Sequence, residues 1–131
     1  MKDLLEAAAA AQANAHAPYS KFRVGAAIRA EDGRIFAGAN VENAAFPQSQ
    51  CAEATAIGAM VTAGARRIAE ILVLADSAAP CTPCGGCRQR IAEFAAAGTR
   101  IHVAGPEGLR RSFALDELLP ARFGEEHLGD G

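Results

Sequence analysis

The stretch PCTPCGGCRQR, residues 80–90, carries three of the four cysteines of the chain, at positions 81, 84 and 87. The fourth, Cys51, lies in QCAEATAI, where Glu53 is the only charged residue within residues 49–64. A CxxC pair that opens a helix presents two sulfurs from neighbouring turns, and Cys51 can add a third from the start of another helix. The two segments therefore favour a metal site built from the starts of two helices.

Length and composition indicate one domain that binds a small molecule. The chain has 131 residues, of which 50% are hydrophobic, so we expect a single domain over residues 1–131. The formal net charge is −2, and no run of Lys and Arg is interleaved with aromatic residues. Both features argue against a nucleic acid polymer as the partner.

The N-terminal segment MKDLLEAAAAAQANAHA has a lysine and an apolar run, as a signal peptide has, but Asp3 and Glu6 interrupt that run. We predict an amphipathic helix that stops before Pro18. No segment approaches the ~20 apolar residues of a membrane span. We therefore expect a cytoplasmic protein with no membrane partner, in which cysteines indicate a metal site or reactive thiols rather than disulfides.

The remaining pattern predicts the order α, β-hairpin, α, β, α, β. The hairpin is predicted from alternating residues on both sides of the turn pair Asp32-Gly33, and a buried helix from the almost uncharged residues 49–65. A continuously apolar run predicts a central strand at residues 71–76. The other predicted elements are strands at 22–30, 34–42 and 101–105, a helix over 88–98 capped by Gly98, and a short strand or helix with a tail over 112–124.

The role of the fourth cysteine decides which kind of metal site forms. If Cys81 binds together with Cys51, Cys84 and Cys87, a zinc site is closed and structural. If only the other three bind, the fourth position stays open, as in catalytic zinc sites. Two successive CxxC steps also occur in iron–sulfur proteins, so an electron-transfer module is a further alternative.

Glu53 favours the catalytic alternative. Burying an unpaired carboxylate costs roughly several kcal/mol, so an otherwise uncharged helix is not expected to carry one without a function. Because Glu53 stands two residues after a ligand, its carboxylate can lie near the open position of the metal and carry protons. The alternative is an exposed glutamate in the first turn, where the helix dipole favours it.

The combination of Cys-x-Glu, about thirty residues and then Pro-Cys-x-x-Cys is the signature of zinc deaminases. Beyond it, PYSKFRVGAA, GANVENAAFP, CAEATAIGAMV, PCGGCRQRIAEF and LLPARFG resemble, in order and spacing, the small cytidine deaminases of pyrimidine salvage. The resemblance covers nearly the whole chain. It implies an α/β fold, a three-layer α/β/α sandwich with a mixed five-stranded sheet, usually assembled as a homotetramer. It also implies hydrolysis of cytidine and deoxycytidine to uridine and deoxyuridine with release of ammonia.

The same resemblance implies roles for individual residues. One zinc per chain is expected at Cys51, Cys84 and Cys87, with Glu53 as the proton shuttle and Cys81 as a bystander thiol. The substrate-binding residues that it implies are Asn40 and Glu42 at the ribose, Phe22 at the base, Ala52, Phe46 near the subunit boundary and Phe123 from a neighbouring subunit.

One position departs from the resemblance. Many three-cysteine relatives read CAER, whereas residue 54 here is Ala. Three thiolates and Zn²⁺ sum to −1, so a nearby positive charge is expected. Arg90 follows Cys87 by three residues, as Ala54 follows Cys51, which places each one turn along from a ligand. We hypothesise that Arg90 compensates the thiolate charge by hydrogen-bonding Cys51 or Cys87; the alternative is a solvated surface arginine.

Three histidines and two alternative functions complete the sequence-based expectations. His16, His102 and His127 are not predicted to bind metal, because they share no spacing that would face one ion. A blasticidin-type deaminase is an alternative substrate class, since it shares CAEA, although it ordinarily lacks the full NVENAAFP and FG segments found here. A non-catalytic metal-binding or iron–sulfur module is the alternative of a different class.

Overall fold

The computed structural model describes residues 1–128. Its helices are α1 Lys2–Ala13, α2 Ala52–Thr62, α3 Gly85–Phe94 and α4 Leu115–Leu118. Its strands are β1 Val24–Ala30, β2 Ile35–Ala39, β3 Ile68–Ala75, β4 Ala95–Gly105 and β5 Gly108–Ala114. Two short 3-10 helices span Phe46–Gln48 and Glu125–His127. No helix in this part of the chain has the length and apolar character needed to cross a membrane.

The five strands form one mixed sheet in the order β2-β1-β3-β4-β5. Strand β1 pairs antiparallel with β2 and β3, and β4 pairs antiparallel with β5. Only β3 and β4 run parallel, and α3 supplies the crossover that a parallel pair requires. The predicted hairpin is confirmed, and Gly33 in its turn has φ of 92°.

Helices cover both faces of this sheet and give the three layers that the family resemblance implies. On one face, Leu4 and Ala8 of α1 pack against Ala27, Leu72 and Leu74. On the other face, α2 and α3 pack on a larger cluster that includes Ala56, Met60, Ile91, Ile28, Ile71, Val73 and Ile101. Successive residues of β1 and β3 therefore serve opposite layers, as the two-residue period of a strand requires.

Two glycines allow the helices to approach the sheet closely, one on each face. A Cβ atom on Gly25 in β1 would overlap the carbonyl oxygen of Ala8 in α1. A Cβ atom on Gly38 in β2 would overlap the backbone nitrogen of Ala56 in α2. Because α2 also carries Glu53 and begins directly after a cysteine, Gly38 sets the height of the site above the sheet.

The predicted helix over residues 88–98 is wrong at its C-terminal end. Helix α3 ends at Phe94, and the chain enters β4 at Ala95, which pairs with Ile68 of β3. The register then shifts before Arg100 pairs with Glu70. Gly98 has φ of 78° inside this irregular part of β4, so its positive φ serves a strand distortion rather than a helix cap.

The other element boundaries also differ from the prediction in places. The C-terminal element is a strand followed by one helical turn, and β5 begins at Gly108, before the predicted start at residue 112. Helix α2 is shorter than residues 49–65, because Cys51 caps its N-terminus and Ala63 its C-terminus. Helix α1 ends at Ala13, ahead of Pro18 as expected.

The close approach at Gly38 gives the first testable prediction. Gly38→Ala should lower the free energy of unfolding by about 2 kcal/mol or more, because overpacking costs about 1–3 kcal/mol and backbone atoms cannot rotate away. Urea unfolding of zinc-saturated protein measures the change. The matched control is Ala37→Ser, an exposed neighbour on the opposite face of β2, with an expected change within about 0.5 kcal/mol. Equal midpoints of urea unfolding for the two variants would contradict the close approach of α2 to β2 at Gly38.

Candidate active site

The cysteines of the site come from the N-termini of two helices. Cys51 is the N-cap residue of α2, Cys84 is the N-cap residue of α3, and Cys87 lies in the first turn of α3. The first backbone N–H groups of a helix have no partner within the helix, so they are free to donate to these sulfurs. The N–H of Cys87 donates to Cys84 and lowers the pKa of that thiol.

Burial acts in the opposite direction on the other two thiols. It raises the pKa of Cys51 and of Cys87, and the nearby charge of Glu53 raises both pKa values further. Metal binding requires the thiolate form, so a metal that binds here displaces protons from these two sulfurs.

The three sulfur atoms lie close enough together to hold one zinc ion. Sγ atoms of Cys51, Cys84 and Cys87 lie within 4.8 Å of one another. A tetrahedral zinc with Zn–S bonds of about 2.3 Å needs sulfurs about 3.8 Å apart, so the donor set fits zinc. No second group of three or more His, Cys, Asp or Glu side chains in residues 1–128 could hold a metal.

Cys81 lies outside this cluster. Its thiol is half-buried, and burial raises its pKa, with the charge of Glu53 adding to the effect. An iron–sulfur cluster is usually held by four cysteines, whereas the part of the chain that the structure describes brings three together. The arrangement therefore leaves a fourth tetrahedral position without a cysteine sulfur.

Glu53 is buried beside the cysteine cluster. It lies in the first turn of α2 with 5% of its surface exposed, so the exposed first-turn alternative is wrong. Burial raises the pKa of its carboxyl group, and the charge of Arg90 opposes this with a smaller effect. A carboxyl group with a raised pKa is suited to taking up and releasing a proton.

A cavity of about 300 Å³ opens beside the cysteines, at the small end of the range for small-molecule sites. It is lined by seven residues that the sequence singled out for the site: Phe22, Asn40, Glu42, Cys51, Ala52, Glu53 and Cys84. It is also lined by Cys81 and by residues that the sequence did not indicate, namely Val24, Ser49, Gln50, Val73 and Thr82. From the sequence, Val73 looks like a core residue of a strand and Thr82 like an ordinary loop residue. Their position at the cavity follows only from the folded structure.

Asn40 and Glu42 hold the cavity wall in place. The Asn40 side chain accepts from the N–H of Val24 at 2.9 Å and donates to the carbonyl of Phe22 at 2.8 Å. The Glu42 carboxylate accepts from the N–H groups of Tyr19 and Ser20 and from the Ser20 hydroxyl, and these bonds lower its pKa. Both residues therefore fix the segment that carries Phe22 while they line the cavity themselves.

The three predicted aromatic contacts lie in different places. Phe22 lines the cavity with 39% of its surface exposed. Phe46 is 70% exposed and makes an edge contact with Tyr19, with ring centroids 6.1 Å apart. Phe123 is 55% exposed and stacks on His127, on the outer side of α3. Neither Phe46 nor Phe123 lines the cavity of its own chain.

Two arginines of α3 hold the cysteine segment. Arg88 donates to the carbonyls of Pro83 and Leu118 at 2.7 and 2.8 Å and to the Thr82 hydroxyl at 2.9 Å. Arg90 reaches the cluster itself, because its Nη1 lies 3.8 Å from Sγ of Cys87. The role of Arg88 is not visible in the sequence, because nothing near a basic residue on an amphipathic helix indicates which carbonyl groups it will contact.

The three histidines lie away from the cysteine cluster. Nε2 of His102 is 2.8 Å from a carboxylate oxygen of Glu70, and Nδ1 is 2.6 Å from the hydroxyl of Ser112, so both ring nitrogens are satisfied within the sheet. His127 contacts Gly124 in the C-terminal segment. None of the three, His16 included, belongs to a possible metal group in residues 1–128.

Comparison with known proteins gives a consistent set of similarities. Residues 1–103 match the family model of the cytidine and deoxycytidylate deaminase zinc-binding region. The cytidine deaminase of Halalkalibacterium halodurans is 39% identical over 127 residues, covering 97% of this chain and 96% of that protein. The cytidine deaminase of Sporosarcina psychrophila is 42% identical over 118 residues, covering 90% and 87%. The crystal structure of cytidine deaminase from Burkholderia pseudomallei has a TM-score of 0.86 at 40% identity and covers 93% of this chain and 98% of that chain.

The sulfur geometry predicts which cysteines retain zinc. Replacing Cys51, Cys84 or Cys87 by Ala should abolish tight zinc binding, because two sulfurs leave the ion too few ligands. Cys81→Ser should keep one zinc per chain, because this thiol lies outside the cluster. Elemental analysis after exhaustive dialysis measures both. Loss of zinc from the Cys81→Ser protein would instead indicate a closed, four-cysteine site.

Proposed function

The chain belongs to the cytidine and deoxycytidylate deaminase family, and we propose that it converts cytidine and deoxycytidine to uridine and deoxyuridine by zinc-dependent hydrolysis, with release of ammonia. One observation carries this proposal. A buried carboxyl group and three cysteine sulfurs meet beside one cavity, and an amide and a carboxylate suited to a sugar line that same cavity. Water and a nucleoside enter the reaction, and ammonia and the deaminated nucleoside leave.

The cysteines hold the metal that the reaction needs. We assign Cys51, Cys84 and Cys87 as the ligands of one zinc per chain. When bound in such a site, zinc polarises its ligands and lowers the pKa of a water molecule toward neutrality. The cavity beside the sulfurs is the side from which a water molecule and the base can approach.

Glu53 carries the protons. Its carboxyl group lines the cavity, and burial keeps its pKa above the usual range, so it can accept a proton and release it again. It accepts the proton of the attacking water and delivers it to N3 of the base. It then takes the remaining proton of that water, from the hydroxyl group now on C4, and delivers it to the amino group, which leaves C4 as ammonia.

The cavity walls orient the nucleoside. Phe22 offers an aromatic face to the pyrimidine, and Ala52, fully buried at the start of α2, leaves room beside the base. Asn40 keeps one amide hydrogen, and Glu42 keeps acceptor capacity, beyond the bonds that hold the wall. These groups are matched to the hydroxyls of a ribose or deoxyribose.

The proposal extends to assembly and to cellular context. We propose a homotetramer in which Phe123, and Phe46 near the subunit boundary, complete the site of a neighbouring chain. Both rings are exposed and neither lines the chain's own cavity, which supports this. A nucleoside substrate suits a cytoplasmic enzyme of pyrimidine salvage. We further propose that residues 1–131 act as one catalytic domain, since the described residues build one five-stranded sheet whose helices and connecting loops carry the site residues.

The role of Glu53 predicts a separation between metal binding and turnover. Glu53→Gln should keep its zinc and its fold but lose about 10²–10⁴-fold in kcat, because an amide of the same shape cannot carry protons. Ammonia release from cytidine, deoxycytidine and blasticidin measures the activity and compares the two substrate classes. The matched control is Glu93→Gln, an exposed glutamate of α3, with an expected change below about twofold.

Two outcomes would contradict this assignment. Near-normal turnover by the Glu53→Gln protein would mean that this carboxyl group carries no protons in the reaction. Release of ammonia from blasticidin alone would move the protein to the other substrate class.

The proposed tetramer predicts complementation between two defective chains. Phe123→Ala should lower activity by weakening substrate binding, and Glu53→Gln should remove nearly all of it. In randomly mixed tetramers, about a quarter of sites combine an intact Glu53 with an intact Phe123 from the neighbour, so activity should exceed the average of the two separate proteins. Light scattering confirms the mass of the mixed assembly. Activity equal to that average would indicate that Phe123 serves no neighbouring site.

A further inference from the structure

The metal centre carries a surplus of negative charge. Three thiolates and one Zn²⁺ sum to −1, and Glu53 adds a second negative charge nearby whenever it is ionised. A partly buried net charge is costly unless a group of opposite sign lies close to it. The free N–H groups at the two helix starts offset part of the surplus, but they supply only partial charges.

Arg90 is placed to supply a full positive charge. Its Nη1 lies 3.8 Å from Sγ of Cys87, within hydrogen-bonding distance for sulfur. Side chains of a helix lean toward the N-terminus, so a residue three positions after a ligand passes over that ligand. The guanidinium of Arg90 therefore lies next to a sulfur of the cysteine cluster.

The neighbouring backbone leaves room for this contact. A Cβ atom on Gly86 would lie 3.2 Å from Nη1 of Arg90, which is closer than an ordinary van der Waals contact. A Cβ atom on Gly85, the preceding residue, would meet nothing within 4 Å. A side chain at position 86 would therefore crowd the guanidinium, which would have to shift by a few tenths of an ångström.

The facing helix offers no cation at the corresponding place. Ala54 follows Cys51 by three residues and lies with Cys51 and Arg90 around a second cavity of about 420 Å³. The remaining α2 residues of that cavity are Ile57, Gly58 and Val61, none of them charged. The cavity therefore has space for a long side chain at position 54, but that residue is an alanine. The nearby positive charge is that of Arg90 on α3.

We propose that Arg90 is the cation that offsets the negative charge of the zinc–thiolate centre. We also propose that Gly86, because it has no side chain, leaves room for the guanidinium. The proposal rests on the zinc site proposed above. Arg90 acts through the ligand sulfur of Cys87 and not on the substrate, so it is a positioning residue for the metal. Its removal should lower the affinity for zinc, independently of any effect on turnover.

The test is a competition for zinc between the intact protein and a chromophoric chelator. Arg90→Met keeps much of the side-chain volume but removes the charge, and we expect zinc affinity to fall about 10–100-fold, as for other groups that support metal ligands. Gly86→Ala should cause a smaller loss of the same kind by pushing the guanidinium away. Gly85→Ala, one residue earlier in open space, should leave the affinity unchanged within about twofold.

A rescue variant separates charge from packing. Adding Ala54→Arg to the Arg90→Met protein restores a cation beside the cluster from the opposite helix, and most of the lost zinc affinity should return. Arg67→Met, which removes an exposed arginine beyond the far end of α2, is the control for net charge and should have no effect. Urea unfolding of the zinc-loaded variants shows whether each one is folded before its affinity is interpreted.

Three results would overturn the proposal. These are native zinc affinity in the Arg90→Met protein, equal losses in the Gly85→Ala and Gly86→Ala proteins, and no recovery on adding Ala54→Arg. Each is distinguishable from failure of the proposed deaminase activity, because zinc affinity is read without turnover. A native protein that binds zinc tightly but releases no ammonia would refute the activity and leave the role of Arg90 intact.

Discussion

The N-termini of α2 and α3 meet at one point beside the sheet, and the whole site depends on that meeting. Cys51 and Cys84 cap the two helices, so any change in the position of either helix changes the distances between sulfurs. Gly38 sets the distance of α2 from the sheet, and Arg88 ties the segment before α3 to α4 through three hydrogen bonds. The helix starts also concentrate unpaired N–H groups where thiolates must be held.

Two opposing electrostatic requirements are met within a few ångströms. Thiolates that hold a metal need a positive environment, and the helix starts and the Arg90 guanidinium both lie next to the cysteine sulfurs. Glu53, the proposed proton carrier, needs an environment that resists its ionisation, and burial raises the pKa of its carboxyl group. Placing Glu53 two residues after Cys51 satisfies both, because the first turn of α2 lies next to the cluster while its inner face is buried against the core.

Much of the fold could be predicted from local patterns, because hydrophobic period and turn chemistry are local. The hairpin at Gly33 and the two cysteine-capped helices follow from such patterns. Gly98 misled the prediction, since a glycine after an alanine-rich helix looks like a cap, and only the pairing of β4 with β3 shows otherwise. The bonds of Asn40 and the closeness of Gly38 to α2 depend on distant segments, so nothing near either residue indicates them.

The sequence separation of the ligands has a consequence for folding. Cys51 precedes β3 and Cys84 follows it. A metal bound to both would therefore cross-link two points 33 residues apart in the chain, with α2 and the central strand β3 between them. By the loop-closure relation used for disulfides, such a cross-link removes about 4 kcal/mol worth of chain entropy from the unfolded state. A bound ion would then stabilise the folded domain as well as take part in the reaction. Its loss would be expected to lower the free energy of unfolding of a chain of this size.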